Sequence, residues 1–214
     1  MMDSYNTINQ PIIRAKRVFD ISLSLIGLLL TLPLFPFIAL AIKLNSRGPV
    51  FYRQLRVGKA MPEQVHVFEM IKFRSMVEDA EVTTGATLAT KGDARVTLVG
   101  KFLRKTRLDE LPQFFNVLNG DMSLVGPRPE RPTFYNKLEQ EIPYFSERTY
   151  GVLPGITGLA QVNQGYDTCI EDVRSKVGFD HSYALSLRSI SSWIKSDVSI
   201  LLMTVKVMLF ARGQ

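Results

Sequence analysis

The longest uninterrupted apolar stretch of the chain runs from Ile21 to Ile42 and carries no charged residue. As a straight helix it would span about 33 Å, enough to cross a bilayer. Pro33 and Pro36 lie inside it. Each removes a backbone donor and crowds the preceding turn, so the pattern predicts a helix that kinks or breaks there. Basic residues flank both ends, Arg14, Lys16 and Arg17 before and Lys43, Arg47, Arg53 and Arg56 after. Both ends are thereby assigned to the cytoplasmic side. A helix-break-helix segment that enters and leaves one leaflet satisfies both observations. The pattern by itself also admits a proline-kinked transmembrane helix, a signal peptide cleaved after Ala39-Leu40-Ala41, or a core helix, although such a run has no polar face.

Beyond this segment, Asn45-Ser46-Arg47-Gly48-Pro49 reads as a turn. Val50–Gln54 and Val65–Met76 read as two strands around a loop containing Gly58. Alternation places Val65, Val67, Ile71 and Phe73 on one face of the second strand, and Lys72 and Arg74 together on the other. Residues 79–93, rich in Thr, Gly and Ala, read as a mobile loop with a helical start at Val77–Glu81. Leu98, Val99, Phe102 and Leu103 recur at helical spacing within Thr97–Leu108, with Lys101, Arg104 and Lys105 outside. A further short helix is predicted from Pro112 to Asn119-Gly120. Trp193–Arg212 is apolar but interrupted by Lys195, Asp197 and Lys206, and its uncharged run Val198–Val205 is too short to span a bilayer. It reads as helix lying on a membrane or packing on the first segment, with a core helix equally compatible. The expected organisation is an N-terminal arm and membrane helix over 1–44, a cytosolic domain over 45–192 and a surface helix over 193–214.

The chain has 214 residues, with 26 basic and 20 acidic side chains and a net charge of +6. That charge suits a membrane surface, a phosphate substrate or nucleic acid without choosing among them. The single Cys169 excludes an internal disulfide framework and a cysteine-based zinc site. His66 and His181 lack ligand spacing, so a metal, if bound, is a hard cation on oxygen ligands.

The densest chemistry lies in residues 104–131. Asp109 and Glu110 are adjacent, preceded by Arg104, Lys105 and Arg107 and followed by Gly126-Pro127-Arg128-Pro129. Carboxylate, cation and divalent metal are the groups that handle a pyrophosphate. The acidic pair at the junction before Pro112 is compatible with plain helix capping, or with a phosphate site that uses the helix N-terminus. Two prolines hold Arg128 on a stiff, extended backbone, and its guanidinium is a planar fork for phosphate oxygens. Lys72 and Arg74 are either a solvated strand face or part of the same site. Pro154-Gly155-Ile156-Thr157-Gly158 carries glycines that permit close backbone approach.

Three blocks, in this order, resemble the bacterial sugar transferases, the small monotopic phosphoglycosyl transferases: Met70-Ile71-Lys72-Phe73-Arg74-Ser75-Met76, Arg104–Pro129, and Pro154–Asn163. Asp180 and Tyr183 match a less specific Asp-x-x-Tyr pattern. The resemblance covers about Ala15 to Met208. It implies an α+β, mostly helical monotopic membrane protein with a proline-broken re-entrant N-terminal helix, a small β-hairpin and interfacial amphipathic helices. It implies transfer of a sugar-1-phosphate from a UDP-sugar, a hexose or N-acetylhexosamine, to undecaprenyl phosphate, with UMP released and a covalent phosphosugar-aspartyl intermediate formed.

In this resemblance Asp109 is the nucleophile and Glu110 holds Mg²⁺, with both carboxylates as candidate metal ligands. Lys72 is catalytic, and Arg74, Arg104, Arg107 and Arg128 bind phosphate. Arg107, where relatives often carry a small polar residue, is expected to lower the pKa of Asp109. Thr157, Gln161, Asn163 and Asp180 are expected on a substrate loop. The implied setting is the cytoplasmic face of a bacterial inner membrane, at the start of a lipid-linked surface glycan such as an exopolysaccharide, O-antigen or glycoprotein glycan. No nucleic-acid partner is expected, and a homodimer is compatible. The competing classes are a membrane-anchored basic binding module without turnover and a different pyrophosphate enzyme such as a nucleotidyltransferase.

Overall fold

A computed structural model describes residues 9–61, 64–82, 85, 92–164 and 170–210. The apolar segment forms α1 (Gln10–Thr31) and α2 (Phe35–Asn45), joined by a 3-10 turn at Leu32–Leu34. The α-helical pattern gives way at Pro33 to this 3-10 turn, while the backbone stays helical on both sides. Pro36 instead sits in the first turn of α2, where a missing N–H costs nothing. Thr31 bonds back to the Gly27 carbonyl at 2.7 Å, a contact that bends helices.

α1 buries one strict i, i+4 stripe, Ile12, Lys16, Asp20, Ser24 and Leu28. Its outer face carries exposed Val18, Leu25, Ile26, Leu29 and Leu30. Lys16, Asp20 and Ser24 are inside while large apolar side chains dominate the outer face, the inverse of the usual helix on a water-soluble domain. By length and composition, Gln10–Asn45 is apolar enough to cross a membrane.

β1 (Phe51–Met61) and β2 (Gln64–Phe73) form an antiparallel hairpin with Tyr52 opposite Lys72 and an irregularity between Val57 and Ala60. Gly58 lies within β1 rather than in the connecting loop, and the residues that join the strands lie outside those described. The face expected to be inward is the outward one over most of β2: Val65 and Val67 are exposed, whereas Phe68 and Met70 are buried. The core takes Phe68 and Met70 from the even-numbered face and Phe73 from the odd one, and Lys72, between Met70 and Phe73, is half-buried.

α3 (Leu98–Thr106) is capped by Thr97, whose side chain accepts from Gly100 N at 3.0 Å. Val99 and Leu103 pack inward, while Leu98 and Phe102, expected on the same buried face, are exposed. α4 (Gln113–Asn119) follows and closes on Gly120 at φ 96°. Of the loop expected at 79–93 only part is described; Val77–Glu81, expected to begin a helix, forms a turn.

β3 (Ser123–Val125) and β4 (Gly155–Thr157) form a short parallel pair, with α5 (Pro132–Glu141) between them in sequence. α6 (Leu159–Asn163), α7 (Ile170–Ser186) and α8 (Ile190–Leu209) complete the chain. α8 buries Trp193, Asp197 and Ile200 against the body and leaves Ile194, Val198, Leu202, Val205 and Leu209 exposed.

One apolar cluster gathers Ile12, Phe68, Met70, Val125, Tyr183, Trp193 and Ile200. A second joins Leu28, Phe35, Ile38 and Ile42 of the apolar segment to Phe73, Leu103 and Leu111. Phe73, Leu103 and Leu111 are the sequence neighbours of Lys72, Arg104 and Glu110. The apolar segment is thus the floor on which these three polar residues are set.

Candidate active site

Asp109 and Glu110 lie in a single 3-10 turn, Leu108–Glu110, between α3 and α4. The turn is entered through Arg107, which adopts a left-handed conformation at φ 57°. Such a conformation costs a non-glycine residue about 1–2 kcal/mol. It reverses the chain directly before the carboxylates. Both are buried, at 7% and 8% exposure.

Three cations converge on Glu110. Lys72 Nζ lies 2.8 Å from Oε1, Arg128 Nη1 3.4 Å from Oε1, and Arg107 Nη1 3.5 Å from Oε2. Among the described residues Asp109 accepts no hydrogen bond. Arg104 stands nearby, its Nε donating to Ser75 Oγ at 2.9 Å.

The two carboxylates consequently differ in acidity. Burial pushes Asp109 above the usual carboxylate range; the Glu110 charge adds to this, and Lys72, Arg104 and Arg128 oppose it. Burial acts on Glu110 in the same sense, but Lys72, Arg128 and Arg107 outweigh it and hold this carboxyl well below its ordinary value. Burial also lowers the Lys72 ammonium, against the pull of Glu110. The expectation that Arg107 would acidify Asp109 is therefore corrected: Arg107 attends Glu110, and desolvation dominates at Asp109.

These groups line a cavity of about 590 Å³. Eight cationic and five acidic side chains contribute to its walls, so the space favours an anion. Glu110 is held by side-chain cations rather than by a helix N-terminus, since α4 has only seven residues and the amides of Glu110 and Leu111 are consumed within the turn.

Asn116, which the sequence did not single out, ties this turn to Lys72. Its Nδ2 donates to Glu69 O at 2.7 Å and its Oδ1 accepts from Ile71 N at 3.0 Å. One side chain thus occupies the free edge of β2 as a neighbouring strand would, and fixes α4 against it.

Arg74 lines the cavity, but its guanidinium is spent on the turn after α2: it donates to Arg47 O, to Ser46 O at 2.8 Å and to Ser46 Oγ at 3.1 Å. It fastens the apolar segment to the site.

The residues expected on a substrate loop all have partners within the fold. Thr157 Oγ1 pairs with Thr204 at 2.7 Å, Gln161 Nε2 donates to Ile156 O at 3.1 Å, and Asn163 Nδ2 donates to Leu159 O at 2.8 Å. Asp180 is buried against Arg148 at 2.8 Å. None of the four lines the large cavity. The glycines of this block serve packing. A Cβ on Gly155 or Gly158 would overlap the Gly126 backbone, which leads into Pro127-Arg128-Pro129. The block is therefore a buttress for the arginine turn.

For a magnesium ion, Asp109 and Glu110 are the candidate ligands. Among the described residues no group of three or more His, Cys, Asp or Glu side chains could hold a metal. Mg²⁺ commonly takes one or two carboxylates and completes its shell with water and substrate phosphates. The buried pair, with Asp109 free of hydrogen bonds, fits that partial donor set.

Residues 12–211 match the bacterial sugar transferase family, and the chain belongs to it. It is 46% identical to an Aeromonas hydrophila UDP-N-acetylgalactosamine-undecaprenyl-phosphate N-acetylgalactosaminephosphotransferase, over 92% of this chain and 44% of that one. It is 45% identical to an Escherichia coli UDP-glucose:undecaprenyl-phosphate glucose-1-phosphate transferase, over 89% of this chain and 39% of that one. A Caulobacter vibrioides UDP-glucose:undecaprenyl-phosphate glucose-1-phosphate transferase is 40% identical over 91% of this chain and 69% of its own. The chain thus spans less than half the length of the first two.

Proposed function

We propose that this protein transfers a sugar-1-phosphate from a UDP-sugar to undecaprenyl phosphate and releases UMP. The observation that carries the proposal is the difference between two adjacent buried carboxylates in a cation-rich cavity: Glu110 is paired with three cations, and Asp109 accepts no hydrogen bond among the described residues. An Asp109 oxygen attacks the phosphorus that bears the sugar. The bond to the UMP oxygen breaks, UMP leaves, and a phosphosugar-aspartyl intermediate remains. An oxygen of the lipid phosphate then attacks the same phosphorus, breaks the acyl-phosphate bond and frees Asp109.

The raised pKa of Asp109 reflects a carboxylate poorly solvated and therefore nucleophilic. Lys72, Arg104 and Arg128 stabilise the charge that develops on the phosphoryl oxygens. Arg107 keeps Glu110 oriented. Mg²⁺, held by Asp109 and Glu110, would neutralise the pyrophosphate.

In this proposal the apolar segment re-enters one leaflet of a bacterial inner membrane from the cytoplasmic face. The inverted polarity of α1 supports this, as does the docking of both halves of the segment on one charged domain. The exposed apolar edges of α3 and α8 would rest on the same interface. The relatives' names include both glucose and N-acetylgalactosamine donors, so the donor class is a UDP-linked hexose or N-acetylhexosamine. The product would begin a lipid-linked surface glycan.

The test is UMP release by the detergent-purified chain with Mg²⁺ and a panel of UDP-sugars, with and without undecaprenyl phosphate. Lipid-stimulated release with one donor is expected. Binding of anionic vesicles without release from any donor would favour a membrane-anchored basic binding module.

A further inference from the structure

The backbone that carries Arg128 is held at four successive carbonyls. Gly155 N donates to Pro127 O at 2.8 Å and Val57 N to Glu130 O at 2.8 Å. Between them, Arg148 Nη2 donates to Arg128 O at 3.0 Å and Arg56 Nη1 to Pro129 O at 3.0 Å. The prolines fix φ on either side of Arg128. The tilt of the Arg128 peptide, which aims its side chain, is left to the donor on its carbonyl, and that donor is Arg148.

Arg148 is itself rigidly placed. It is 4% exposed, and its Nη1 pairs with Asp180 Oδ2 at 2.8 Å; Asp180 is 2% exposed. Its guanidinium lies 4.5 Å over the Phe145 ring, and Glu130 Oε1 stands 3.8 Å from Nη2. Arg148 does not line the large cavity. It lines a small pocket behind Arg128, with Asp180 and Gln161. A cation kept away from the substrate, charge-balanced and bonded to the carbonyl of a substrate-side arginine, has no direct contact to offer the reaction.

We propose that Arg148, held by Asp180, is a positioning residue that sets the reach of Arg128 toward Glu110 and the pyrophosphate. The proposal rests on the cavity being the pyrophosphate site. Only the planar fork of arginine spans Asp180 and the Arg128 carbonyl at once, so lysine keeps the charge and forfeits one of the two bonds. A misplacement of about 1 Å in a catalytic group lowers turnover by up to about a hundredfold.

The experiment is a double-mutant cycle on the full chain in detergent, with Arg148→Lys, Asp180→Asn and Arg128→Ala. kcat, KM for the UDP-sugar, UDP affinity and the melting transition are measured for each. Arg148→Lys and Asp180→Asn are expected to lower kcat about tenfold or more with KM little changed and melting cooperative. In the Arg128→Ala background the same substitutions should cost less than about twofold, because the group they aim is gone.

Equal losses in both backgrounds would overturn the proposal, as would wild-type kinetics for Arg148→Lys. If Arg148→Lys does not fold, the isosteric Asp180→Asn decides by the same criterion. If the unmodified chain releases no UMP from any donor, the functional reading fails separately. The cycle is then read as UDP affinity, where an Arg148 effect that persists without Arg128 counts against the proposal.

Discussion

Two of the buried charge clusters among the described residues are built to opposite specifications. The first joins the apolar segment to the body. Lys16 pairs with Asp197 at 2.7 Å and with Asp20 at 3.5 Å. Asp197 also accepts from Trp193 Nε1 and Tyr183 OH, each at 2.9 Å, and Asp20 accepts from Ser123 Oγ at 2.8 Å and Leu124 N at 3.2 Å. Each of these charges has a partner and each carboxylate is bonded, which is what a buried ion pair needs to hold together. The second cluster gathers Lys72, Arg104, Arg107 and Arg128 around Asp109 and Glu110, opens to a cavity and, among the described residues, leaves Asp109 without a hydrogen bond. A saturated network fastens; an unsaturated one with excess cation waits for an anion. Burial of charge alone identifies neither. The balance of partners does.

The comparison is broken most severely at Asp109. Asp109→Asn is expected to reduce UMP release by on the order of a thousandfold or more. Its melting temperature should be unchanged or higher, because a carboxyl with a raised pKa is less stable ionised in the fold than in water. A large drop in melting temperature would place Asp109 among the fastening residues.

The reverse is expected of Asp197→Ala. It leaves Lys16 with the longer contact to Asp20 and removes the acceptor of Trp193 Nε1, and should cost about 3–5 kcal/mol in denaturant unfolding. The folded fraction should keep its turnover.

Next in size is the pH profile. Asp109 must be ionised to attack, so the acid limb of kcat/KM should lie above the ordinary Asp value of 3.8. Lys72 must be charged, so the alkaline limb should lie below 10.5. Lys72→Arg should move the alkaline limb upward, leave the acid limb in place and lower the maximum about tenfold. An unmoved alkaline limb would assign it to another group.

The smallest effect concerns Arg107. Arg107→Gly should be more stable than Arg107→Ala by about 1 kcal/mol, because only glycine is relaxed at this left-handed position. Differential unfolding of the two variants reads it directly. Both should show similar, reduced turnover if the guanidinium serves to orient Glu110.

Much of this was legible along the chain. The 3-10 turn at Pro33, the start of α4 after Pro112 and its end at Gly120 follow from backbone chemistry that local residues dictate. The Asp109–Glu110 pair, with Lys72 and Arg128, converges where the blocks implied. What local pattern does not reveal is which face of an element the rest of the molecule covers. β2 carries apolar residues on both faces, and the molecule covers Phe68, Met70 and Phe73 while leaving Val65 and Val67 exposed. Arg74 and Asp180 have distant partners, Ser46 and Arg148, that no local pattern announces. The glycines of Pro154–Gly158 permit close approach, but the thing approached is the Gly126 backbone and not a ligand. Arg148 has no pattern around it, and its role depends on contacts 20 and 32 residues away.

The most direct measurement is intact-protein mass after incubation with the accepted UDP-sugar and Mg²⁺ but no lipid. An added hexose- or N-acetylhexosamine-phosphate, mapped to Asp109, absent from Asp109→Asn and discharged on addition of undecaprenyl phosphate, is the expected result. Turnover with no adduct at any time point, or an adduct that persists in Asp109→Asn, would contradict a nucleophilic Asp109 standing beside a salt-bridged Glu110.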